Sequence, residues 1–181
     1  MLTISVPKTE YYDSDLDQIL TVNAVQLTLE HSLLSISKWE SKWNKPFFAD
    51  TNKTTEELLD YIKCMIVGPK TIDERIIGVL RESDISKIVE YIKAPMTATT
   101  IKTNGPKKRN KETITSELIY YWMVAYNIPF ECEKWHINRL LTLVKICDIK
   151  NSPKNKMSKR DTINYYKNLN EARKASMGTR G

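Results

Sequence analysis

The sequence predicts an α+β protein that is predominantly α-helical, with short strands near the N-terminus. Two segments, 2–6 ("LTISV") and 24–30 ("AVQLTLE"), alternate apolar and polar side chains, which is typical of strands with one buried face. Much of the remaining chain carries apolar residues at spacings of three and four, which is typical of helices. Five glycines in 181 residues are too few for a turn-rich all-β fold.

The first helices have clear sequence boundaries. Apolar residues recur at Leu33, Ile36, Trp39 and Trp43, and Pro46 then ends the stripe. The segment 54–68, "TTEELLDYIKCMIVG", begins with threonines that can cap a helix and glutamates that suit its N-terminal dipole. With later segments of the same kind, the pattern predicts about six helices, and two to four strands near the N-terminus and around residue 100.

Two domains of unequal size are expected. Residues 1–150 form a single mostly helical domain that contains a basic loop at 103–112 and a helical hairpin at 114–148. The hairpin is predicted because Ile128-Pro129 interrupts two long apolar helical segments. Residues 151–181 follow as a basic C-terminal linker and helix, with a Ser-x-x-Asp cap at Ser158.

The charge of the chain is unevenly distributed. Residues 1–100 hold 11 Lys and Arg against 15 Asp and Glu, a balance of −4. Residues 101–181 hold 17 against 7, a balance of +10. This polarity indicates an acidic partner, nucleic acid or head-to-tail self-association, and a merely solvated basic surface is the alternative. The candidate basic contact residues are Lys107, Lys108, Arg109, Lys159 and Arg160.

Cys132 and His136 are the residues most suggestive of a metal or catalytic site. Four residues apart, they are expected one turn from each other on a helix. Zinc requires three or four protein ligands. Of the other candidates, Cys147 is expected about three turns further along the same helix, whereas Cys64 and His31 lie on distant elements. We therefore expect these side chains to serve packing, with no metal and no cofactor. Since no nucleotide-binding or hydrolase motif occurs either, the protein is expected not to be an enzyme.

Aromatic residues are the strongest indication of a binding surface. The segment "YYWMVAY" (120–126) places aromatic side chains all round one helix, so they cannot all face one core. Large aromatics are preferred at protein interfaces, and a broadly buried helix is the alternative. The candidate partner-binding residues are Trp39, Trp43, Tyr121, Trp122 and Trp135. No apolar run of about 18 residues occurs, so no membrane partner is expected.

Beyond these patterns, several stretches of the sequence resemble a known family. They are "LEHSLLSISKWESKWNKPFF", "TTEELLDYIKCM", "ELIYYWMVAYNIPFECEKWHINRLLTLVKICDIKN", "KMSKRDTINYYKNLNEARK" and the terminal "GTRG". They resemble the tail assembly chaperones of tailed bacteriophages, which are encoded just ahead of the tape measure protein. The resemblance implies a mostly helical, non-enzymatic protein, acting in the host cytoplasm in many copies. Its partners would be the tape measure protein, which it coats while the tail tube assembles, and other tail proteins.

Two alternatives to the chaperone hypothesis remain open at the level of sequence. The first is a structural component of the virion, such as a tail, connector or baseplate subunit, which would be located in the particle. The second is a basic nucleic-acid-binding protein that uses residues 107–111 and 154–160. The second would lose affinity steeply with salt, whereas apolar binding to a client protein would not.

Overall fold

The computed structural model describes residues 1–13, 17–49, 53–69, 73–101, 112–151 and 159–178. They form an α+β fold that is mostly helical, as predicted. The chain divides into two compact units, Met1–Cys147 and Asp148–Gly181. The strands are β1 (Leu2–Val6), β2 (Thr9–Asp13), β3 (Gln18–Val22), β4 (Val25–Leu29) and β5 (Ile66–Gly68). The helices are α1 (Leu33–Trp43), α2 (Thr55–Met65), α3 (Glu82–Lys93), α4 (Ser116–Ala125), α5 (Ile137–Asn151) and α6 (Lys159–Met177).

A three-stranded antiparallel sheet of order β1-β4-β5 forms one layer of the first unit. β1 and β4 pair from Leu2 opposite Leu29 to Val6 opposite Val25, which confirms both predicted strands. Alternate side chains on both strands, such as Ile4 and Leu27, are buried because successive residues point to opposite faces of a sheet. The alternation in the sequence therefore corresponds to one core-facing side of this sheet.

Two parts of the β structure were not predicted. β2 and β3 form a separate two-stranded hairpin, in which the exposed Tyr12 and Ile19 lie directly opposite each other. β5 directly follows α2 and pairs with β4. The expected strand around residue 100 is wrong for the described residues 94–101, which are in neither helix nor strand. Their threonines favour strands, but the described part of this segment has no paired neighbour.

α1 and α2 pack against each other and carry much of the core. Each begins with a capping box, Ser32 with Ser35 and Thr54 with Glu57, so the predicted cap of the second helix is confirmed. α1 ends at Asn44, whose φ of 52° is in the left-handed region that asparagine tolerates. The largest fully buried side chains are Trp39, Tyr61, Leu27, Leu29, Leu33, Ile36, Met65, Ile76, Ile88, Ile119, Met123 and Ile137.

Glu40 on α1 positions α4. Its carboxylate is buried and accepts hydrogen bonds from the backbone N–H groups of Phe47 and Ser116, each at 2.7 Å. Ser116 is the first residue of α4, so the negative charge lies at the positive end of the α4 dipole. One acidic side chain thus connects α1, the turn that follows it and the start of α4.

The region predicted as a hairpin contains α4, a 3₁₀ turn at Phe130–Lys134, and α5. α4 ends in a Schellman motif, because Ile128 N–H donates to Met123 C=O at 2.8 Å and Asn127 N–H donates to Val124 C=O at 3.1 Å. Asn127 takes the left-handed position, with φ of 52°. The interruption predicted at Ile128-Pro129 is therefore present, and it arises from this helix cap as much as from the proline.

Candidate protein-binding surface

Trp39 and Trp43, two of the candidate partner-binding residues, hold α1 against α2. Trp39 is 1% exposed, and its indole N–H donates to Glu57 C=O at 2.8 Å. The Trp43 indole N–H donates to the Asp60 carboxylate at 2.9 Å, and the Lys42 and Lys45 ammonium groups lie over its ring. Trp39 is consequently a core residue that a partner cannot reach, and Trp43 is half-buried among intramolecular contacts.

Trp122 and Trp135 are also half-buried and pack against the core. The Arg139 guanidinium stacks over the Trp135 ring, 4.1 Å from its centroid, so this face of the indole is already occupied. Of the five candidate residues, Tyr121 alone is strongly exposed, at 65%. The structure does not bring the five together as one surface.

Tyr121 instead belongs to an exposed apolar surface that the sequence patterns identified only in part. Val124 follows it on the same side of α4 and is 59% exposed, and Phe130 in the 3₁₀ turn is 56% exposed. The half-buried Tyr120 lies beside Phe130, with ring centroids 6.3 Å apart. We call the four residues Tyr120, Tyr121, Val124 and Phe130 the α4 aromatic surface. The inclusion of Phe130 depends on the turn after α4, which periodicity alone does not specify.

Hydrogen bonding holds part of this surface rigid. The Tyr120 hydroxyl donates to the Glu133 carboxylate at 2.8 Å. Burial and this bond to a carboxylate together raise the pKa of the Tyr120 hydroxyl, so it stays protonated and keeps donating. Because α4 is capped at both ends, its exposed side chains project from a fixed backbone. A rigid aromatic surface loses little conformational entropy when it binds a partner.

The candidate basic residues are mostly beyond the described part of the chain. Lys107, Lys108 and Arg109 lie outside the described residues, as does the side chain of Lys159. Arg160 is exposed near the start of α6. The predicted basic contact therefore stays a prediction at all five residues, of which the structure describes only the Arg160 side chain.

Cys132 and His136 are not one turn apart on a helix, so that expectation is wrong. Cys132 is buried in the 3₁₀ turn, whereas His136 precedes α5 and forms an isolated β-bridge with Ser32. Trp135 between them has an extended backbone, so the two residues do not share one helical turn. Burial raises the pKa of the Cys132 thiol. Among the described residues, no group of three His, Cys, Asp or Glu side chains could hold a metal ion.

His136 belongs to a buried polar cluster that the sequence did not predict. The His31 and His136 rings are 5.0 Å apart, and His31 Nδ1 is hydrogen-bonded to the Tyr61 hydroxyl. His136 Nε2 donates to Tyr91 C=O at 3.0 Å, while its Nδ1 accepts from Asn138 N–H at 3.3 Å. One nitrogen of the His136 ring thus donates a hydrogen bond and the other accepts one. The imidazole is therefore neutral, with its proton on Nε2.

Burial lowers the pKa of both histidines. The pKa of His31 falls to about 3, because its ring is desolvated and lies beside His136. The pKa of His136 is lowered mainly by desolvation, against which its bond to Tyr91 C=O acts. The adjacent Glu30 carboxylate accepts from the Tyr91 hydroxyl at 2.6 Å and pairs with the Met1 amino group at 2.9 Å. The cluster satisfies its own hydrogen bonds and connects the start of α1 with α2, α3 and α5.

Comparison with known proteins adds no assignment, since no protein-family model, no curated protein and no solved structure matches the chain. None of the described helices is both long enough and apolar enough to cross a membrane.

Proposed function

We propose that this protein is a non-enzymatic binding protein of phage morphogenesis, a tail assembly chaperone that coats the tape measure protein during tail tube assembly. The proposal rests on the resemblance of its sequence to that family and on one structural observation. That observation is the α4 aromatic surface, three of whose side chains are more than half exposed on a rigid, capped helix and the adjoining turn.

The chemistry of this surface suits an apolar helical client. Exposing a long apolar helix to water has a free-energy cost of about 25 cal/mol for each Å² of nonpolar surface. Tyrosine and phenylalanine rings cover such a surface through broad contacts that require no particular partner sequence. Trp39 has no part in this binding, since it is buried, and its place among the contact residues is taken by Val124 and Phe130.

Co-expression with the tape measure protein tests the proposal. We expect the wild-type chain to keep this client soluble and to co-purify with it, and the complex to survive raised salt because screening does not weaken apolar burial. Y121S should weaken the complex by about 10- to 150-fold, because a large apolar side chain contributes about 1.5–3 kcal/mol when it is buried. Y166S removes another exposed tyrosine from a helix and serves as the matched control.

The alternatives predict different results in the same experiment. A structural subunit of the virion would be found in purified mature particles by mass spectrometry, whereas a chaperone leaves before maturation. A nucleic-acid-binding protein would release its partner as the salt concentration rises. A client that stays insoluble beside the wild-type chain, together with recovery of the chain from mature particles, would overturn the chaperone proposal.

A further inference from the structure

The net charge of the protein resides in its second unit. Residues 148–181 hold nine Lys and Arg against three Asp and Glu, a balance of +6, which equals the net charge of the whole chain. Residues 1–147 hold nineteen of each and are neutral overall. An attraction for an acidic partner is therefore concentrated in the segment that contains α6.

α6 arranges part of this charge in a single row. Arg160, Lys167 and Lys174 recur every seven residues, and Ile163, Asn170 and Met177 alternate with them at steps of three and four. Residues at this spacing share one side of a helix. We call these six residues the α6 row; with a rise of 1.5 Å per residue, it is about 26 Å long. All six side chains are exposed, including Ile163 at 66% and Met177 at 72%.

This combination of residues restricts the kind of partner. A partner with a purely apolar surface would bury the three cations of the α6 row without counter-charges, which is unfavourable. Nucleic acid could neutralise the cations, but its phosphates offer nothing to Ile163 and Met177. A second copy of the row would place like charges opposite each other. A seven-residue repeat of this kind is the spacing at which helices pack side by side.

We propose that the α6 row binds an acidic amphipathic helix of a partner protein. The partner helix carries Asp or Glu at seven-residue intervals opposite Arg160, Lys167 and Lys174, with aliphatic residues between them that cover Ile163 and Met177. The ion pairs set the register and the orientation, and the aliphatic contacts exclude water from part of the interface. This inference is independent of the tail assembly proposal, because it uses a different surface and a different chemistry.

A designed peptide tests the interaction on the full chain. The probe is a fluorescently labelled helix of three heptads with Glu and Leu at the facing positions, compared with a scrambled peptide of the same composition by fluorescence anisotropy. We expect K167E to weaken binding of the patterned peptide about tenfold, because it replaces a solvent-exposed ion pair by a contact between like charges. R173E makes the same change of charge at an exposed position about 120° from Lys167 around α6, and should have a much smaller effect.

Two further variants distinguish a patterned helix interface from unspecific charge attraction and from loss of the helix. I163N leaves the charge unchanged and should still weaken binding. The triple variant R160E/K167E/K174E should lose the Glu peptide and should bind a patterned peptide with Lys in place of Glu more tightly than its scrambled form, a preference that requires a folded helix. Failure of the wild-type chain to prefer the patterned peptide over the scrambled one overturns the proposal. So does tighter binding to a DNA duplex that I163N leaves unchanged, or self-association of the chain that K167E abolishes.

Discussion

At the scale of single residues, tryptophans of similar appearance in the sequence have different roles. Trp39 is fully buried and hydrogen-bonded to α2, whereas Trp135 is half-buried beneath the Arg139 guanidinium. The difference arises from what packs over each ring, because both indoles are flanked by polar residues in the sequence and their local context is similar. The stability of alanine variants distinguishes the two roles directly.

W39A should lower the free energy of unfolding by about 3–5 kcal/mol, because it leaves a large cavity in the core. W135A should lower it by only about 1–2 kcal/mol, within the range of ordinary partly exposed substitutions. Urea denaturation followed by circular dichroism measures both. Equal losses for the two variants would contradict the assignment of Trp39 to the core and Trp135 to its edge.

At the scale of elements, the positions of the helices depend on buried carboxylates. Glu40 accepts two backbone hydrogen bonds, Glu57 closes the capping box of α2, and Asp60 accepts the Trp43 indole N–H. Glu40 and Asp60 connect segments that are separated in the sequence, and Glu57 caps the start of a helix. Charged residues that composition alone would assign to the surface therefore organise the packing of α1, α2 and α4.

E40Q should destabilise the protein by about 2–3 kcal/mol, since a buried backbone N–H loses its acceptor and the start of α4 loses a negative charge. E117Q removes a carboxylate from the same end of α4 at an exposed position and is the control. We expect E117Q to change stability by less than about 0.5 kcal/mol. Thermal and urea unfolding measure the stability of both variants. Similar losses of stability in E40Q and E117Q would refute the role of Glu40.

At the scale of the whole molecule, both histidines of the chain meet in the cluster that joins the start of α1 to α2, α3 and α5. The ionisable groups around them are Glu30, Tyr61, Tyr91 and the Met1 amino group that pairs with Glu30. Because the two imidazoles are buried side by side and neutral, the folded state resists protonation that the unfolded chain accepts. Folding and proton binding are therefore coupled at this point.

Stability should consequently fall as the pH decreases below the ordinary histidine value of about 6.5. Below this pH the histidines of the unfolded chain bind protons, whereas His31 in the folded protein binds a proton only near its pKa of about 3. Each histidine contributes up to about 1.4 kcal/mol per pH unit to the slope. Above about pH 5 the carboxylates contribute little, so the slope in this window belongs to the histidines.

Urea unfolding at a series of pH values measures this slope. H31N should reduce it even if the variant is less stable at every pH, because the change of free energy with pH depends only on the difference in bound protons. An unchanged slope in H31N would show that His31 is not the group that titrates on unfolding. The control is E117Q, which should leave the slope intact.

The fold class, β1, β4 and the helical stripes could be predicted from the sequence, because the periodicity of apolar residues records the local backbone and its buried side. The cap of α2 was equally local, since Thr54 and Glu57 are three residues apart. The β2–β3 hairpin and the position of β5 were not predicted, because strand pairing depends on segments that are distant in the sequence or on turns without a clear signature.

The exposure of each aromatic residue was decided by the tertiary structure alone. A helical stripe shows that Trp39 or Tyr121 lies on a given side of its helix, but it does not show whether that side meets another part of the chain. α1 meets α2, so Trp39 is buried, while the side of α4 that carries Tyr121 and Val124 is left exposed. Likewise, His31 and His136 come together because a β-bridge joins Ser32 to His136, a long-range contact that no local pattern encodes.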